Sequence, residues 1–445
     1  MFSHTKVLLS ALLLSCSFFA GCSSGSNSAV EPTTPPKNDT PAVTQAPVTI
    51  QLYARTLLLN EDFEKYIQKP LKEKFPYVTI NKIDNEKGKT IQDLLTAGQV
   101  PDLIWEGLTN IQTLTDLNLP LDLDPLVKKH AFDLNRIDPQ LIKSVRSYSS
   151  KGQLIYLPFR EFAFGLHYNK DIFDKFGVEY PKANMTWDQA VELARKVTGT
   201  RDGVNYRGLH SGISINRIQT QMSLPYVDTK TEKSLLGSND RWQALFRTFK
   251  DIYSIPGNWP AGSTFGDGRK AFLETRNLAM FPHLILIGDA DFADSVGKGL
   301  NWGITTFPAM KDKPGVGPGV FSDGFIVPDG GKNQDLVFQL IAHLLSDEVQ
   351  SQAAKLGNPT ALVNPEVKKK LYESNPLAKG VDLAPVLALK SADPFARTPY
   401  DAKAQGIAQK YLEQYFTDKA DLNEALRVAE DEMNKMIDQE KLSRK

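Results

Sequence analysis

From residue 48 onward the chain switches repeatedly between two hydrophobic periods. Val48-Thr49-Ile50-Gln51-Leu52-Tyr53 alternates apolar with polar positions, the period of a strand with one buried face. In 61–75 the period lengthens: Phe63, Ile67 and Leu71 share one helix face, and Pro70 predicts a kink. Strands are predicted at 78–83 and 102–105 with a helix at 90–97 between them. Further strands at 154–157 and 164–168 precede a helix at 170–176. Thr186 and Gln189 make a capping box for the next helix. Ser238-Asn239-Asp240 opens another, with Trp242, Leu245, Phe246 and Phe249 on one side. Short strands follow at 278–281, 303–306 and 325–327, and helices at 335–345, 347–355, 402–416 and 421–440. Strands alternating with helices predict βαβ units and a parallel sheet, so the class is α/β with a helical C-terminal end.

Length and charge narrow the picture. The 445 residues are too many for one compact core and predict two lobes. Fifty-two basic residues balance fifty-two acidic ones, so no net field draws the chain to nucleic acid. The N-terminus reads as a secretory signal: Lys6, then an apolar run from Val7 to Phe19, then the small residues Ala20 and Gly21. That run falls short of the ~20 residues of a membrane span. Cys22 after the small pair resembles a bacterial lipoprotein lipobox, with Phe19 where leucine is usual. Leu13-Leu14-Ser15-Cys16 is a rival match, but it would leave Phe18 and Phe19 beside the lipid. Cys22 is followed by Ser23-Ser24-Gly25-Ser26-Asn27-Ser28, a solvated tether. The expectation is a signal peptide over 1–21, lipidation at Cys22 and a disordered Pro-rich tether over 22–47. An ordinary cleaved signal with an incidental cysteine is the competing reading; both put the protein outside the cytoplasm. No cysteine follows Cys22, which excludes disulfides and cysteine-based metal or redox sites.

Catalytic signatures are thin. The chain has no GxSxG, no GxxxxGK[ST] and no HExxH, and His130, His167, His210, His283 and His343 stand at no metal-ligand spacing. Asp289, Asp291 and Asp294 lack the glycine and final glutamate of an EF-hand loop and read as a solvated turn. No metal or cofactor is expected. What recurs is an aromatic residue beside a polar one, at predicted strand ends and in loops. Examples are Tyr53-Ala54-Arg55, Trp105-Glu106-Gly107, Phe159-Arg160-Glu161-Phe162, Asn258-Trp259, Phe281-Pro282-His283 and Phe321-Ser322-Asp323. Ligands of open parallel sheets bind beyond the carboxyl ends of the strands. A flat ring with hydrogen-bonding neighbours suits a sugar: the ring covers its C–H face while Asp, Glu, Asn and Arg pair with hydroxyls. For each ring taken singly, core packing is the competing role.

A family resemblance then emerges. Gly98-Gln99-Val100-Pro101-Asp102-Leu103-Ile104-Trp105, followed by Leu119-Pro120-Leu121-Asp122, resembles landmarks of bacterial extracellular solute-binding proteins. The branch is the maltose-binding-protein-like group that serves ABC importers. Leu157-Pro158-Phe159, Tyr168-Asn169-Lys170-Asp171-Ile172-Phe173 and Thr186-Trp187-Asp188 continue the match in order. So do Phe272-Leu273-Glu274, Leu278-Ala279-Met280, Trp302-Gly303, Phe307-Pro308 and Leu345-Ser346-Asp347-Glu348, and the whole covers about 48–437. The resemblance implies a two-lobed periplasmic-binding-protein-like fold (type II), with two α/β lobes, a hinge and an interlobe ligand cleft. The lobes would be 48–160 with 324–358 and 161–323 with 359–445, crossing near 159–162, 321–324 and 357–361. The candidate ligand contacts are Arg55, Trp105, Glu106, Asn110, Phe159, Arg160, Glu161, Trp259, Phe281, His283, Phe321 and Asp323. Asp102 and Trp187 have folding as their competing role, and Arg160 and Glu161 could pair with each other. One departure stands out: many sugar-binding relatives carry a tryptophan after the "AM" strand, and Met280-Phe281-Pro282-His283-Leu284 has none. Phe281 or Trp259 would then supply the platform, with His283 bonding a polar or acidic ligand.

The resemblance implies the monomeric substrate-binding lipoprotein of an ABC importer, with no enzymatic activity. It would capture a mono- or oligosaccharide and deliver it to permease subunits. The lipid would be its only membrane contact, on the outer face, and a Gram-positive surface is favoured because one cell membrane would not retain a diffusing binding protein. The alternative is the same role for a glycerophosphoryl compound or polyamine; a phosphate would call for converging Arg55, Arg160 and Arg217. A surface-anchored carbohydrate-active enzyme would need two carboxylates facing one cleft, Glu106 and Glu161 being the pair to test.

Overall fold

The computed structural model describes residues 46–443. The signal segment 1–21, Cys22, its rival Cys16 and the tether up to residue 45 lie outside the described residues. Within them the strands are β1 (Val48–Ala54), β2 (Val78–Asp84), β3 (Leu103–Gly107), β4 (Leu157–Glu161), β5 (Phe164–Asn169) and β6 (Gly199–Arg201). They continue with β7 (Val204–Leu209), β8 (Leu278–Leu284), β9 (Trp302–Thr306), β10 (Val316–Gly319), β11 (Ser322–Ile326) and β12 (Lys390–Ala392).

Two five-stranded sheets result, one per lobe, in the orders β2-β1-β3-β11-β4 and β6-β7-β8-β5-β9, with β10 and β12 pairing separately. β1 lies parallel to β2 and β3, as the alternation predicts. β11, however, runs antiparallel to β3 and β4, and β5 antiparallel to β8 and β9, so both sheets are mixed rather than parallel. The cause is the crossing of the chain between lobes. β4 leaves the first sheet and two residues later β5 enters the second, while β11 returns two residues after β10. A strand arriving from the other lobe opposes the strands that run toward it.

Each lobe buries its own core. Ile50, Leu52, Leu103, Ile104 and Phe325 pack with Phe338 and Ile341 of the helix Gln334–Leu344 in the first. Trp187, Trp242, Phe246 and Phe249 pack with Leu412, Met433 and Ile437 in the second, where the helices Asp401–Phe416 and Leu422–Ser443 cover it. A third cluster joins Phe272, Leu286 and Phe292 to Tyr372 and Val386. Ala361 and Leu362 still belong to the first core, and Leu362 bridges Ile137. Tyr372, in the third cluster, also donates its N–H to the Ala354 carbonyl at 3.0 Å. Among the described residues no helix is long and apolar enough to cross a membrane.

Three local departures have physical causes. The kink expected at Pro70 is a π-helical turn, Glu64–Gln68, between the helices Asn60–Phe63 and Lys69–Lys74; widening the spiral there accommodates a residue without an N–H. β4 begins at Leu157 and runs through Pro158, which an edge strand tolerates, whereas the strand expected at 154–157 stopped short of the proline. The hairpin β6–β7 turns at Asp202-Gly203, both at positive φ (49° and 76°), the Asp-Gly signature of a tight hairpin that the sequence reading passed over.

Candidate functional site

β4 and β5 are separated by two residues, so the end of β4 and the start of β5 lie together at the first crossing, and the neighbouring strand ends border it. On the first lobe this edge is charged. Glu106, on β3, is fully buried, and its carboxylate accepts from the Arg55 guanidinium, the Thr56 hydroxyl and the Gly107 N–H (2.8 Å). The same Arg55 group reaches the Asn110 carbonyl at 3.3 Å, while Asn110 itself is exposed. One strand over, Arg160 Nε and Nη2 both donate to Asp323 Oδ2, at 2.9 and 2.5 Å. Burial raises the Asp323 carboxyl above the usual carboxylate range even though Arg160 pulls it down. Beneath this row Trp105, Phe159 and Phe325 meet edge to face at 5.2–5.8 Å. Trp105 and Phe159 are each 1 % exposed, so their rings face the core.

The second-lobe edge is aromatic and imidazole-rich. His283, on β8, stacks on the fully buried Phe281 at 4.8 Å. Burial, with help from Arg217 and Arg269, holds His283 down to about 3, so it is neutral at ordinary pH. His210 follows β7 and stacks against Trp259 at 6.2 Å. Trp259 is half-buried and packs on Tyr253, Phe265 and Phe416. Phe321, at the second crossing, lies on Phe164 (5.1 Å) and beneath the Arg217 guanidinium (4.0 Å).

Glu161 goes elsewhere. Neighbours along a strand point to opposite faces, so Arg160 and Glu161 do not pair with each other: Arg160 takes Asp323 and Glu161 accepts from Ser391 Oγ at 3.0 Å. Glu161 borders a cavity of about 290 Å³ shared with Asp138, Lys368, Ser391, Phe162 and Pro359. Glu106 does not border it, so the two carboxylates considered for glycoside hydrolysis do not line this cavity together. Burial, then Asp138, push the Glu161 carboxyl up to about 7, with Lys368 and Ser391 opposing. The folded protein thus keeps a proton that the unfolded chain releases between about pH 4.5 and 7. The contribution of this group is full at low pH, declines as pH rises through that window and is flat above it. Glu161→Gln is expected to melt higher than the wild type at pH 8 and level with it at pH 4.5; parallel losses in both proteins across the window would refute this.

The structure therefore gathers Arg55, Glu106, Asn110, Arg160 and Asp323 on the first edge, and Trp259, His283 and Phe321 on the second. It sinks Trp105, Phe159 and Phe281 into cores and turns Glu161 into the neighbouring cavity. The reading of residues missed Thr56 and His210, whose roles depend on partners distant in sequence. The acidic turn is tied as well as solvated: Arg269 bridges Asp289 (2.7 Å) and Asp291 (2.6 Å).

Residues 60–351 match the family model described as "Bacterial extracellular solute-binding protein". No curated protein sequence matches the chain. Among solved structures, a substrate-binding protein from Listeria monocytogenes in complex with cycloalternan aligns at a TM-score of 0.70 and 16% identity, over 87% of this chain and 98% of that one. A sugar transporter protein from Rhizobium etli in an open conformation aligns at 0.67 and 20%, over 87% and 99%. A solute-binding protein from Thermotoga lettingae bound to α-D-tagatose aligns at 0.66 and 17%, over 88% and 100%. At these identities the likeness establishes the two-lobed fold.

Proposed function

The chain belongs to the bacterial extracellular solute-binding protein family, and from that premise we propose that it is the substrate-binding component of an ABC importer, with a saccharide as its solute. The observation that carries this is the lining of the strand ends beside the crossings, Arg55–Glu106 and Arg160–Asp323 in one sheet and His283 and Trp259 in the other. Carboxylates and guanidinium groups fixed by their own partners offer directed hydrogen bonds to hydroxyls. Two lobes joined by short crossings close as a hinge, and a solute drives closure only by its differential affinity for the closed state. Solved relatives of the same fold carry cycloalternan or α-D-tagatose. The protein then works outside the cytoplasm, tethered by a lipid on Cys22, and hands its cargo to permease subunits. It performs no chemistry on that cargo.

Thermal melts against a panel of mono- and oligosaccharides test the reading, because a solute bound only by the folded form raises the melting temperature. At least one saccharide is expected to give a saturable rise. A rise with a polyamine or glycerophosphoryl compound alone would overturn the sugar assignment. New reducing ends after incubation with a glycan would overturn the binding-protein reading.

A further inference from the structure

Of the three arginines considered for an anionic solute, two already have carboxylate partners. Arg55 is paired with Glu106 and Arg160 with Asp323. Arg217 differs. It is 6 % exposed, it makes no ion pair among the described residues, and its Nη1 is buried without a hydrogen-bond partner. Its guanidinium rests on Phe321 at 4.0 Å and Phe164 at 5.0 Å, which hold the planar group in place without neutralising it. Arg207, also buried, likewise leaves Nη2 without a partner, but its Nε donates to the Asn258 carbonyl at 3.0 Å and Asp267 lies within its field. Burial lowers Arg217 to about 10, and no acidic group offsets that cost. A buried charge without a counter-ion is expensive, and an Arg retained there calls for an anion.

Its surroundings place it beside the crossings between the lobes. Phe321 is the crossing residue before β11, and Phe164 opens β5, where it pairs with Leu284 of β8. Arg217 borders none of the cavity that holds Glu161. Its charge acts on His283, whose Nδ1 is likewise buried without a partner. Two unsatisfied polar atoms on one edge, one of them cationic, suit an oxyanion with a neighbouring hydroxyl.

We propose that the solute is an acidic saccharide, whose carboxylate or phosphate group pairs with Arg217 while its hydroxyls are read by the first-lobe edge. This rests on the saccharide reading above and narrows it. Calorimetric titration of the purified protein with matched pairs tests it: glucose against glucuronate and glucose 6-phosphate, galactose against galacturonate and oligogalacturonate, with inorganic phosphate, sulfate and citrate as sugar-free anions. One acidic sugar is expected to bind roughly 30-fold or more tightly than its neutral counterpart, with Arg217→Met removing that advantage. The uronate and phosphate arms identify which oxyanion is read. Arg217→Lys keeps the charge without the fork, and is expected to weaken the acidic sugar about tenfold; it stands in if the Met variant does not fold. Neutral sugars binding as tightly as acidic ones would overturn the acidic assignment and leave the saccharide reading intact. Binding of sugar-free anions alone would overturn the saccharide reading and keep Arg217 as the anion site. No binding by any member would overturn both.

Discussion

Asn258→Ala is expected to lower the melting temperature of the purified protein by roughly 5–10 °C, a loss of about 2–4 kcal/mol. Asn258 is fully buried and its amide is used completely. Oδ1 accepts from the N–H groups of Gly208 (2.8 Å) and Leu209 (3.1 Å), and Nδ2 donates to the carbonyls of Leu209 (2.7 Å) and Ile252 (2.8 Å). The side chain thereby ties the end of β7 to the last turn of the helix Asp240–Tyr253. Alanine removes all four bonds and leaves polar backbone facing a void, so the cost is that of unsatisfied groups rather than of lost contacts. Asn258→Asp keeps the two acceptor bonds but turns an oxygen toward two carbonyls, and is expected to be at least as damaging. A melting temperature unchanged within about 1 °C for Asn258→Ala would refute the assignment.

Asn258 also shows where sequence reasoning reaches its end. Read along the chain, Asn258-Trp259 is a polar group beside a flat ring, the pairing that suits a sugar. Three of its four bonds run to residues 49 and 50 positions away, which no local pattern records. What was legible is what is decided locally. The capping box at Thr186 and the Asn239 cap start helices where the residues place them, because cap and first turn are a few residues apart. The order of landmarks carried the family and the two-lobed fold. Strand direction at the crossings was not legible, since a period of two is the same in either direction. Nor was the burial of Trp105, Phe159 and Phe281, since a ring at a strand end has the same spacing whether it faces a core or a cleft.

Asp323→Ala is expected to cost about 3–5 kcal/mol, the loss typical of leaving one member of a buried ion pair alone. Arg160 and Asp323 are 16% and 11% exposed at their side chains, so little water reaches the guanidinium once its partner is gone. Arg160 also touches each of the regions that join the lobes. It lies over Phe162 at 4.8 Å near the first expected crossing, grips Asp323 near the second and reaches Asn358 Oδ1 at 3.4 Å near the third. An unpaired charge there disturbs all of them, not one strand. Asp323 is itself held above the usual carboxylate range by burial, so the pair is only modestly favourable against an apolar replacement. The double variant Arg160→Met, Asp323→Leu is therefore expected to recover most of the loss, to within about 1 kcal/mol of the wild type. Denaturant melts of the two single variants and the double variant give the coupling directly. If Asp323→Ala alone is neutral, the pair is a surface contact; if the double variant is as unstable as the single, the two residues act through separate partners. A recovered double variant that also closes on its solute with unchanged affinity would assign the pair to holding the hinge, leaving recognition to Arg55, Glu106 and the second-lobe edge.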